Sequence, residues 1–265
     1  MRLFDMHCHL GFADNARELA AALAERGGGA LSATVEPAEY VRMREALAGE
    51  SAVRVGLGLH PWWLDEGRCG EEDAARCVEL AREARFIAEV GLDFGKRREA
   101  SRDIQLDTFR RVCAVAGAAG GKVLSLHAVG AAAEALDVLE ETGCLAPGGK
   151  GSCACILHWY SGPSDQLHRA VRLGCFFSIS PRMLQTRRGS EYARILPAER
   201  LLLETDLPPS AGGTFDPDEL LGTLSGTLEA LETLRGETLG DRIAESSARL
   251  LGAWQGTVLL SRLDN

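Results

Sequence analysis

The sequence predicts an α/β fold in the form of a (β/α)8 TIM barrel, and three observations lead to this prediction. Eight short segments that are rich in apolar and β-favouring residues recur along the chain. Helical patterns lie between these segments, an alternation that is typical of a parallel sheet with crossover helices. The chain has 265 residues, close to the roughly 250 of a barrel that forms one domain.

The eight predicted strands are mostly near-continuous apolar runs, which is expected for parallel strands buried on both faces. They cover residues 3–8, 30–35, 52–59, 85–91, 122–127, 153–158, 174–179 and 200–205. Eight strand–helix repeats in a chain of this length favour a closed barrel over the alternative, an open doubly wound sheet.

The predicted helices separate the strands and then complete the ring. After Asp206 the chain is less regular, and prolines and glycines in residues 208–213 predict a long loop. The clearest helical patterns cover residues 16–26, 37–47, 71–84, 102–119, 217–234 and 241–253. Because the chain shows no internal linker, repeat or low-complexity segment, we predict a single domain over residues 1–265.

The composition indicates a folded, acidic protein: 46% of residues are hydrophobic, 25% are charged, and the formal net charge is −9. Proteins that mainly grip long nucleic acid are usually basic, so any positive charge must be concentrated locally. No apolar run reaches the roughly 20 residues of a membrane helix, and the start lacks the features of a signal peptide. Eight scattered cysteines without a C-x-x-C motif fit a reducing compartment. We therefore expect a cytoplasmic protein with no membrane association and no obligate protein partner.

Polar residues fall where the predicted strands end. His7 and His9 form an H-x-H pair at the end of the first strand, and residues two apart on a strand point to the same side. The other strand ends carry His60 (third strand), Glu89 (fourth), His127 (fifth), His158 (sixth) and Glu204 with Asp206 (eighth). In a barrel these ends converge on one rim, where the active sites of this fold lie.

Each of these residues alone also has a structural explanation, because a single strand histidine is more often a hydrogen-bonded core residue than a ligand. The set is harder to explain that way, since burying so many polar groups without a compensating ion leaves a large desolvation cost. Imidazole and carboxylate together suit divalent metals. His168, in the helical stretch SDQLHRAVRL, is the exception and is interpreted as a surface or packing residue.

Several motifs that contain these residues occur in order between residues 5 and 208. They are Asp5-Met6-His7-Cys8-His9-Leu10, Gly58-Leu59-His60-Pro61, Glu89-Val90-Gly91-Leu92-Asp93, Gln105 with Phe109, His127, His158-Trp159-Tyr160-Ser161-Gly162 and Leu203-Glu204-Thr205-Asp206-Leu207-Pro208. Together they resemble the TatD family of metal-dependent deoxyribonucleases in the amidohydrolase-like superfamily. The resemblance implies a TIM barrel of the metal-dependent hydrolase type.

The resemblance also implies a cofactor of two divalent metal ions, for which Mg²⁺, Mn²⁺ and Zn²⁺ are all compatible. The implied ligands are His7, His9 and Asp206 for one ion, His127 and His158 for the second, and Glu89 as the bridge between them. His60 would lie beside the metals and contact a substrate phosphate.

The sequence departs from the family pattern in the outer pocket. The family histidine of the fifth strand is followed by a small residue and an arginine, whereas His127 is followed by Ala128 and Val129. The loop after Asp206 reads PSAGGTFDP in place of an asparagine–glutamate–proline element, and a late helical asparagine is replaced within residues 244–247.

The expected reaction is hydrolysis by a divalent-metal-activated water, with Asp206 as general base and Glu89 as the second catalytic carboxylate. Basic clusters follow the fourth and seventh strands, and from them we take Arg97 and Arg182 as substrate-binding candidates; the alternative is that these are ordinary solvated charges. Aromatic residues that follow two site histidines could stack on bases or could cap the top of the barrel: Trp62, Trp63, Trp159 and Tyr160.

Three functions remain open from the sequence. The first is a phosphodiesterase or DNase of the TatD type, acting on a phosphate-containing substrate such as single-stranded DNA. The second is a metallohydrolase for a small ester, lactone or amide, favoured by the acidic net charge and the altered outer pocket. The third is a non-catalytic barrel that binds metal or ligand, against which the retention of Glu89 and Asp206 argues.

Overall fold

A computed structural model describes residues 2–252 of the chain as eight parallel strands with helices around them. The strands are β1 (Phe4–Cys8), β2 (Gly29–Ala33), β3 (Val53–Gly56), β4 (Phe86–Asp93), β5 (Val123–Val129), β6 (Ala154–His158), β7 (Phe176–Ile179) and β8 (Leu201–Leu203). Each lies within or overlaps one of the eight predicted segments, so the prediction of eight strands is confirmed.

The strands form a closed ring in chain order. Regular pairing joins β1, β2 and β3 in that order into one group, and it joins β4, β5, β6, β7 and β8 in that order into a second group. Leu57 bridges the two groups, since its N–H donates to the Phe86 carbonyl at 2.9 Å and its carbonyl accepts from the Ala88 N–H at 2.8 Å. On the other side, the Asp206 N–H donates to the His7 carbonyl of β1 at 3.0 Å. The barrel prediction is confirmed, and the open-sheet alternative is wrong.

Helices follow nearly every strand and cover the outside of the ring. They are α1 (Ala16–Glu25), α2 (Pro37–Ala46), α3 (Pro61–Asp65), α4 (Glu71–Leu80), α5 (Arg102–Ala119), α6 (Ala132–Glu141), α7 (Ser164–Leu173), α8 (Pro181–Leu184), α9 (Arg187–Ile195), α10 (Pro217–Arg235) and α11 (Gly240–Gly252). The short helices α3 and α8 each begin at a proline, whose fixed φ suits the first helical position. Within residues 2–252, no helix has the length and apolar character needed to cross a bilayer.

The described residues stop short of both ends of the chain. The last residue of the predicted 241–253 helix, Ala253, lies outside the described residues, as do Met1 and residues 254–265. The assignment of residues 1–265 to one domain therefore stays a prediction.

The core has an inner part and an outer part. Side chains such as Met6, Leu31 and Ile156 form a buried cluster inside the ring, and a larger cluster packs the strands against the helices. The close contact between β4 and β5 requires a glycine at position 91. A Cβ at Gly91 would lie 1.9 Å from the carbonyl oxygen of His127. This approach brings β4 and β5 together just below the rim that carries the polar residues.

Candidate metal centre

The carboxyl ends of the strands bring the predicted polar residues together at one rim. His7 is the next-to-last residue of β1, His127 lies in β5 and His158 is the last residue of β6. His60 caps the first turn of α3, directly after the third strand segment. Of the other polar residues at this rim, His9 follows β1 and Glu89 lies within β4. Glu204 and Asp206 follow β8.

Glu89 lies at the centre of this group and is only 2% exposed. Its carboxylate is approached by one nitrogen from each of five imidazoles. These are His7 Nε2, which is closest, His127 Nδ1 at 2.9 Å, His60 Nε2 at 3.2 Å, His158 Nε2 at 3.6 Å and His9 Nε2 at 3.7 Å. Histidines from four separate segments of the ring thus converge on one carboxylate.

The backbone at two carboxylates is held in an unusual conformation. Glu89 has a φ of 65° and Asp206 a φ of 61°, values in the left-handed region that favours glycine. At Glu89 the register with β5 shifts, because Ala88 pairs with Ser125 while Val90 pairs with the next residue, Leu126. Such a bulge re-aims a side chain. Backbone strain of this kind clusters at functional sites.

The imidazoles around Glu89 stabilise its ionised form. Burial alone would raise the pKa of Glu89, but the neighbouring imidazoles of His7, His158 and His60 hold it well below the usual range. Burial opposes the charging of His9, yet the hydrogen bond to Asp206 and the charge of Glu89 raise the pKa of His9 to about 9. The contact between His9 Nε2 and Asp206 Oδ1 measures 3.2 Å and holds the pKa of Asp206 below its ordinary value despite burial.

The ligand atoms form two groups that share Glu89. One group contains His7, His9, Glu89 and Asp206, and the other contains His60, Glu89 and His127. Within each group the atoms lie within 4.8 Å of one another, so either could hold a metal ion.

The second group differs from the set that the family resemblance implies, because it includes His60 where the resemblance has His158. His158 lies beside the groups: its ring stacks on that of His7 with centroids 3.9 Å apart.

His60 has one nitrogen that is already engaged. Its Nδ1 accepts the backbone N–H of Trp62 at 3.0 Å, at the first turn of α3. Burial lowers the pKa of His60 to about 3, so the ring is neutral at physiological pH. A neutral imidazole carries one proton, and in His60 it must lie on Nε2, which points into the site. His60 therefore faces the centre as a hydrogen-bond donor.

Asp93 also belongs to the site, although no role was predicted for it from the sequence. Its Oδ2 lies 3.4 Å from His127 Nε2 and accepts the indole N–H of Trp62 at 2.6 Å. Burial opposes ionisation, but the hydrogen bonds from His127 and Trp62 hold the pKa of Asp93 below its usual range. On the other side of this contact, burial lowers the pKa of His127 but its bonds to Asp93 and Glu89 raise it to about 9. The position of Asp93 in the Glu89–Asp93 motif was the available signal.

Glu204 lies deeper than the other carboxylates and is fully buried. Burial raises the pKa of Glu204 to about 8, which favours its neutral form near pH 7. One carboxyl oxygen contacts the hydroxyl of Ser178 and lies 3.7 Å from His158 Nδ1. Glu204 therefore lies behind His158, on the side away from Glu89.

The donor chemistry of the site fits a divalent metal. Imidazole and carboxylate groups are the ligands that borderline metals such as zinc and manganese accept. Five nitrogens around Glu89 exceed the roughly four lone-pair sites of a carboxylate, so hydrogen bonding alone cannot satisfy them all. Within residues 2–252, the buried Nδ1 atoms of His9 and His158 are also without a hydrogen-bond partner.

The two predicted arginines lie at the rim rather than in the centre. Arg97 is exposed in the segment after β4, and Arg182 is exposed with its guanidinium carbon 5.6 Å from the ring centroid of Trp159. Arg98, from the same basic cluster as Arg97, is engaged by Asp65 at 2.6 Å and lies 3.8 Å from Asp93. The basic cluster after β4 is thus part solvated charge and part structural ion pair.

Comparison with known proteins identifies relatives over most of the chain. Residues 4–248 match the family described as TatD related DNase. The chain is 26% identical to the uncharacterized metal-dependent hydrolase YabD of Bacillus subtilis, over 78% of this chain and 80% of YabD. It is 33% identical to the 3′-5′ ssDNA/RNA exonuclease TatD of Edwardsiella piscicida, over 57% of this chain and 56% of that protein.

Solved structures of similar proteins have the same fold. The TatD homolog YjjV of Escherichia coli superposes with a TM-score of 0.67 at 22% identity, covering 94% of this chain and 97% of that one. A TatD family hydrolase of Entamoeba histolytica gives a TM-score of 0.71 at 12% identity, covering 94% and 98% of the two chains. At these identities the likeness concerns the fold alone.

Proposed function

The chain belongs to the TatD related DNase family of metal-dependent hydrolases, and from this premise we propose that it hydrolyses phosphodiester bonds in single-stranded nucleic acid. The observation that carries the proposal is the buried Glu89 carboxylate, enclosed by five imidazoles and shared by two groups of potential ligands. One relative is named as an exonuclease for single-stranded DNA and RNA, and it aligns with 56% of its length. Because the alignment covers little more than half of that relative, single-stranded nucleic acid as the substrate of this chain is part of the proposal.

The proposed cofactor is a pair of divalent ions, Mg²⁺, Mn²⁺ or Zn²⁺. In this assignment Glu89 would be a ligand of both ions, a role supported by the five imidazole nitrogens that approach its carboxylate. The other ligands would be His7, His9 and Asp206 for the first ion, and His127 with His158 for the second. His60 stays out of the ligand set because its Nδ1 is engaged by Trp62 and its Nε2 carries the proton.

When bound, two divalent ions would lower the pKa of a water and polarise the phosphate. Asp206 would accept the proton from that water, and two observations support this role. Its pKa lies below the usual range, so the carboxylate is ionised at neutral pH. Its side chain is 24% exposed whereas that of Glu89 is 2% exposed. Asp206 therefore faces the open side of the site, while Glu89 lies buried beneath it, where its carboxylate would hold the metal ions.

Substrate binding would use residues on the same open side. His60 would donate its Nε2 proton to a phosphate oxygen, which a neutral imidazole can do without the cost of burying another charge. Arg97 and Arg182 would attract the anionic strand from the rim, since a local positive charge can steer an anion even in a protein of net charge −9.

A second candidate function is hydrolysis of a small ester or lactone. The observation that favours it is Val129, which is 39% exposed at the end of β5. At this place the family resemblance would have an arginine. An apolar side chain there offers less to a polyanion and more to an uncharged substrate.

One assay panel decides between the two candidates. Purified protein is supplied with Mg²⁺, Mn²⁺ or Zn²⁺ and given single-stranded DNA, duplex DNA, a simple phosphodiester or a set of lactones. We expect cleavage of single-stranded DNA, lost in Asp206→Asn. Cleavage of lactones alone would overturn the nuclease proposal. If the Asp206→Asn variant then failed to cleave the lactones, that result would support the second function.

A further inference from the structure

A large exposed aromatic side chain stands at the edge of the candidate metal centre. Trp62 is 39% exposed, and its ring centroid lies 5.0 Å from that of His60 and 6.3 Å from that of His127. Large apolar side chains in the described residues are otherwise mostly buried, so this indole offers exposed apolar surface beside the candidate metal centre.

Trp62 is held in place by three contacts, two of which involve the indole. Its Nε1–H donates to Asp93 Oδ2 at 2.6 Å, and its backbone N–H donates to His60 Nδ1 at 3.0 Å. The guanidinium carbon of Arg98 lies 4.5 Å from the ring centroid, and Arg98 is itself fixed by Asp65 at 2.6 Å. A pre-positioned ring loses little conformational entropy when a ligand stacks on it.

Val129 extends the same apolar surface. Val129 pairs in register with Asp93, and its side chain points to the same face of β5 as that of His127, two residues before it. Its 39% exposure therefore lies on the mouth side of the strand, above His127. Trp62 bonds to Asp93 and Val129 pairs with it, so both exposed side chains are neighbours of Asp93, and we refer to the two together as the ledge.

We propose that the ledge of Trp62 and Val129 binds the base of the nucleotide next to the scissile phosphate, by stacking on the indole. This inference rests on the proposed function and names the part of the substrate that the ledge recognises. The indole offers a flat apolar surface, and its ring lies close both to the imidazoles of His60 and His127 and to the guanidinium of Arg98. A fitting occupant is therefore flat, apolar on its face and linked to an anion that reaches the site. A nucleobase on a phosphodiester strand has these properties, and aromatic stacking accepts any base.

The test measures equilibrium binding, so it does not depend on cleavage. The Asp206→Asn protein, loaded with Mn²⁺, is titrated with short single strands from which one base at a time has been removed. Stacking on an aromatic side chain contributes about 5- to 150-fold in affinity per base. We expect one abasic position to weaken binding by an amount in this range, and we expect Trp62→Ala to reduce that ratio to about 1.

Two further variants separate stacking from other roles. Trp62→Phe keeps an aromatic face but loses the N–H bond to Asp93, so it should retain most of the base dependence. Ile195→Ala removes an exposed apolar side chain at the end of α9. Because the chain runs from α9 to the start of β8, this side chain lies at the end of the barrel opposite the metal centre. The variant should therefore leave the effect of the abasic position on affinity unchanged.

Three results would overturn the inference: equal binding of all abasic strands, a base dependence that survives Trp62→Ala, or a Trp62→Phe variant as impaired as Trp62→Ala. The last result would show that Trp62 only positions Asp93. Failure of the proposed function gives a different pattern, because the wild-type protein would then leave single-stranded DNA uncleaved while the base-dependent binding persisted.

Discussion

The Nδ1 atom of His7 lies 2.7 Å from the hydroxyl oxygen of Ser125, while Nε2 of the same ring faces Glu89. Both residues are fully buried, His7 in β1 and Ser125 in β5. When the serine oxygen accepts the Nδ1 proton, the lone pair of Nε2 is left free for a metal ion. Ser125 thus orients a proposed ligand from a different strand, as outer partners of metal-binding histidines commonly do.

Loss of this partner should weaken metal binding without unfolding the barrel. We expect Ser125→Ala to lower the affinity for Mn²⁺ by about 10- to 100-fold, the usual cost of removing such a partner. Isothermal titration of metal-free protein measures the affinity. Ser32→Ala is the matched control, because Ser32 is also a fully buried strand serine but its hydroxyl has no hydrogen-bond partner in the described part of the chain. Equal affinities in both variants would remove Ser125 from the site.

Asp206→Asn should abolish most turnover and retain metal. The amide can still offer an oxygen ligand but cannot accept a proton, and general-base catalysis contributes about 10²- to 10⁴-fold. We expect kcat on single-stranded DNA to fall by that factor, with metal content followed by mass spectrometry. Asp107→Asn makes the same chemical change at a side chain that is 62% exposed on α5 and should leave kcat unaltered. Turnover near the wild-type level in Asp206→Asn would rule out the assigned base.

Gly91→Ala should destabilise the protein, because the new Cβ would lie 1.9 Å from the His127 carbonyl oxygen and the two strands would have to separate. We expect the free energy of unfolding to fall by at least about 1–3 kcal/mol, the typical cost of overpacking, as measured by urea denaturation. Gly222→Ala lies in α10 with open space around the position and should instead stabilise by roughly 0.5–1 kcal/mol. A stable Gly91→Ala protein would contradict the close approach of β4 and β5.

Metal removal should lower the melting temperature. A ligand that binds only the folded state stabilises it by about 2.7 kcal/mol per site at a free concentration of 100 times Kd. Dialysis against a chelator should therefore lower Tm, and Mn²⁺ should restore it, in thermal denaturation followed by circular dichroism. Glu89→Gln should lose most of this response, since Glu89 is common to both ligand groups. An unchanged metal response in that variant would argue against a shared ligand.

The sequence was sufficient for the ring and for most of the rim residues, because both follow from simple patterns. Near-continuous apolar runs marked most of the eight strands, and a polar residue at the end of a buried run marked the rim. Asp93 was overlooked because it lies beyond the predicted end of its strand. The fourth strand was predicted to end at residue 91, whereas β4 continues to Asp93 through pairing with Val129. A strand that ends in an acid does not show from sequence whether that acid faces solvent or a histidine.

Other features of the site depend on tertiary contacts that no local pattern records. The bulge and positive φ at Glu89 place an ordinary residue in an unfavourable conformation, which only the surrounding barrel can enforce. The protonation state of His60 depends on the backbone N–H of Trp62 at the start of α3, a helix of five residues that the sequence patterns did not single out.

The most direct test of the shared carboxylate is the electron paramagnetic resonance spectrum of protein loaded with Mn²⁺, read together with the metal content. Two Mn²⁺ ions per chain with an exchange-coupled spectrum, reduced to uncoupled Mn²⁺ in Glu89→Gln, is the result that a carboxylate bridge predicts. A chain that takes up no Mn²⁺, or two ions whose spectra stay uncoupled in the wild-type protein, would contradict it.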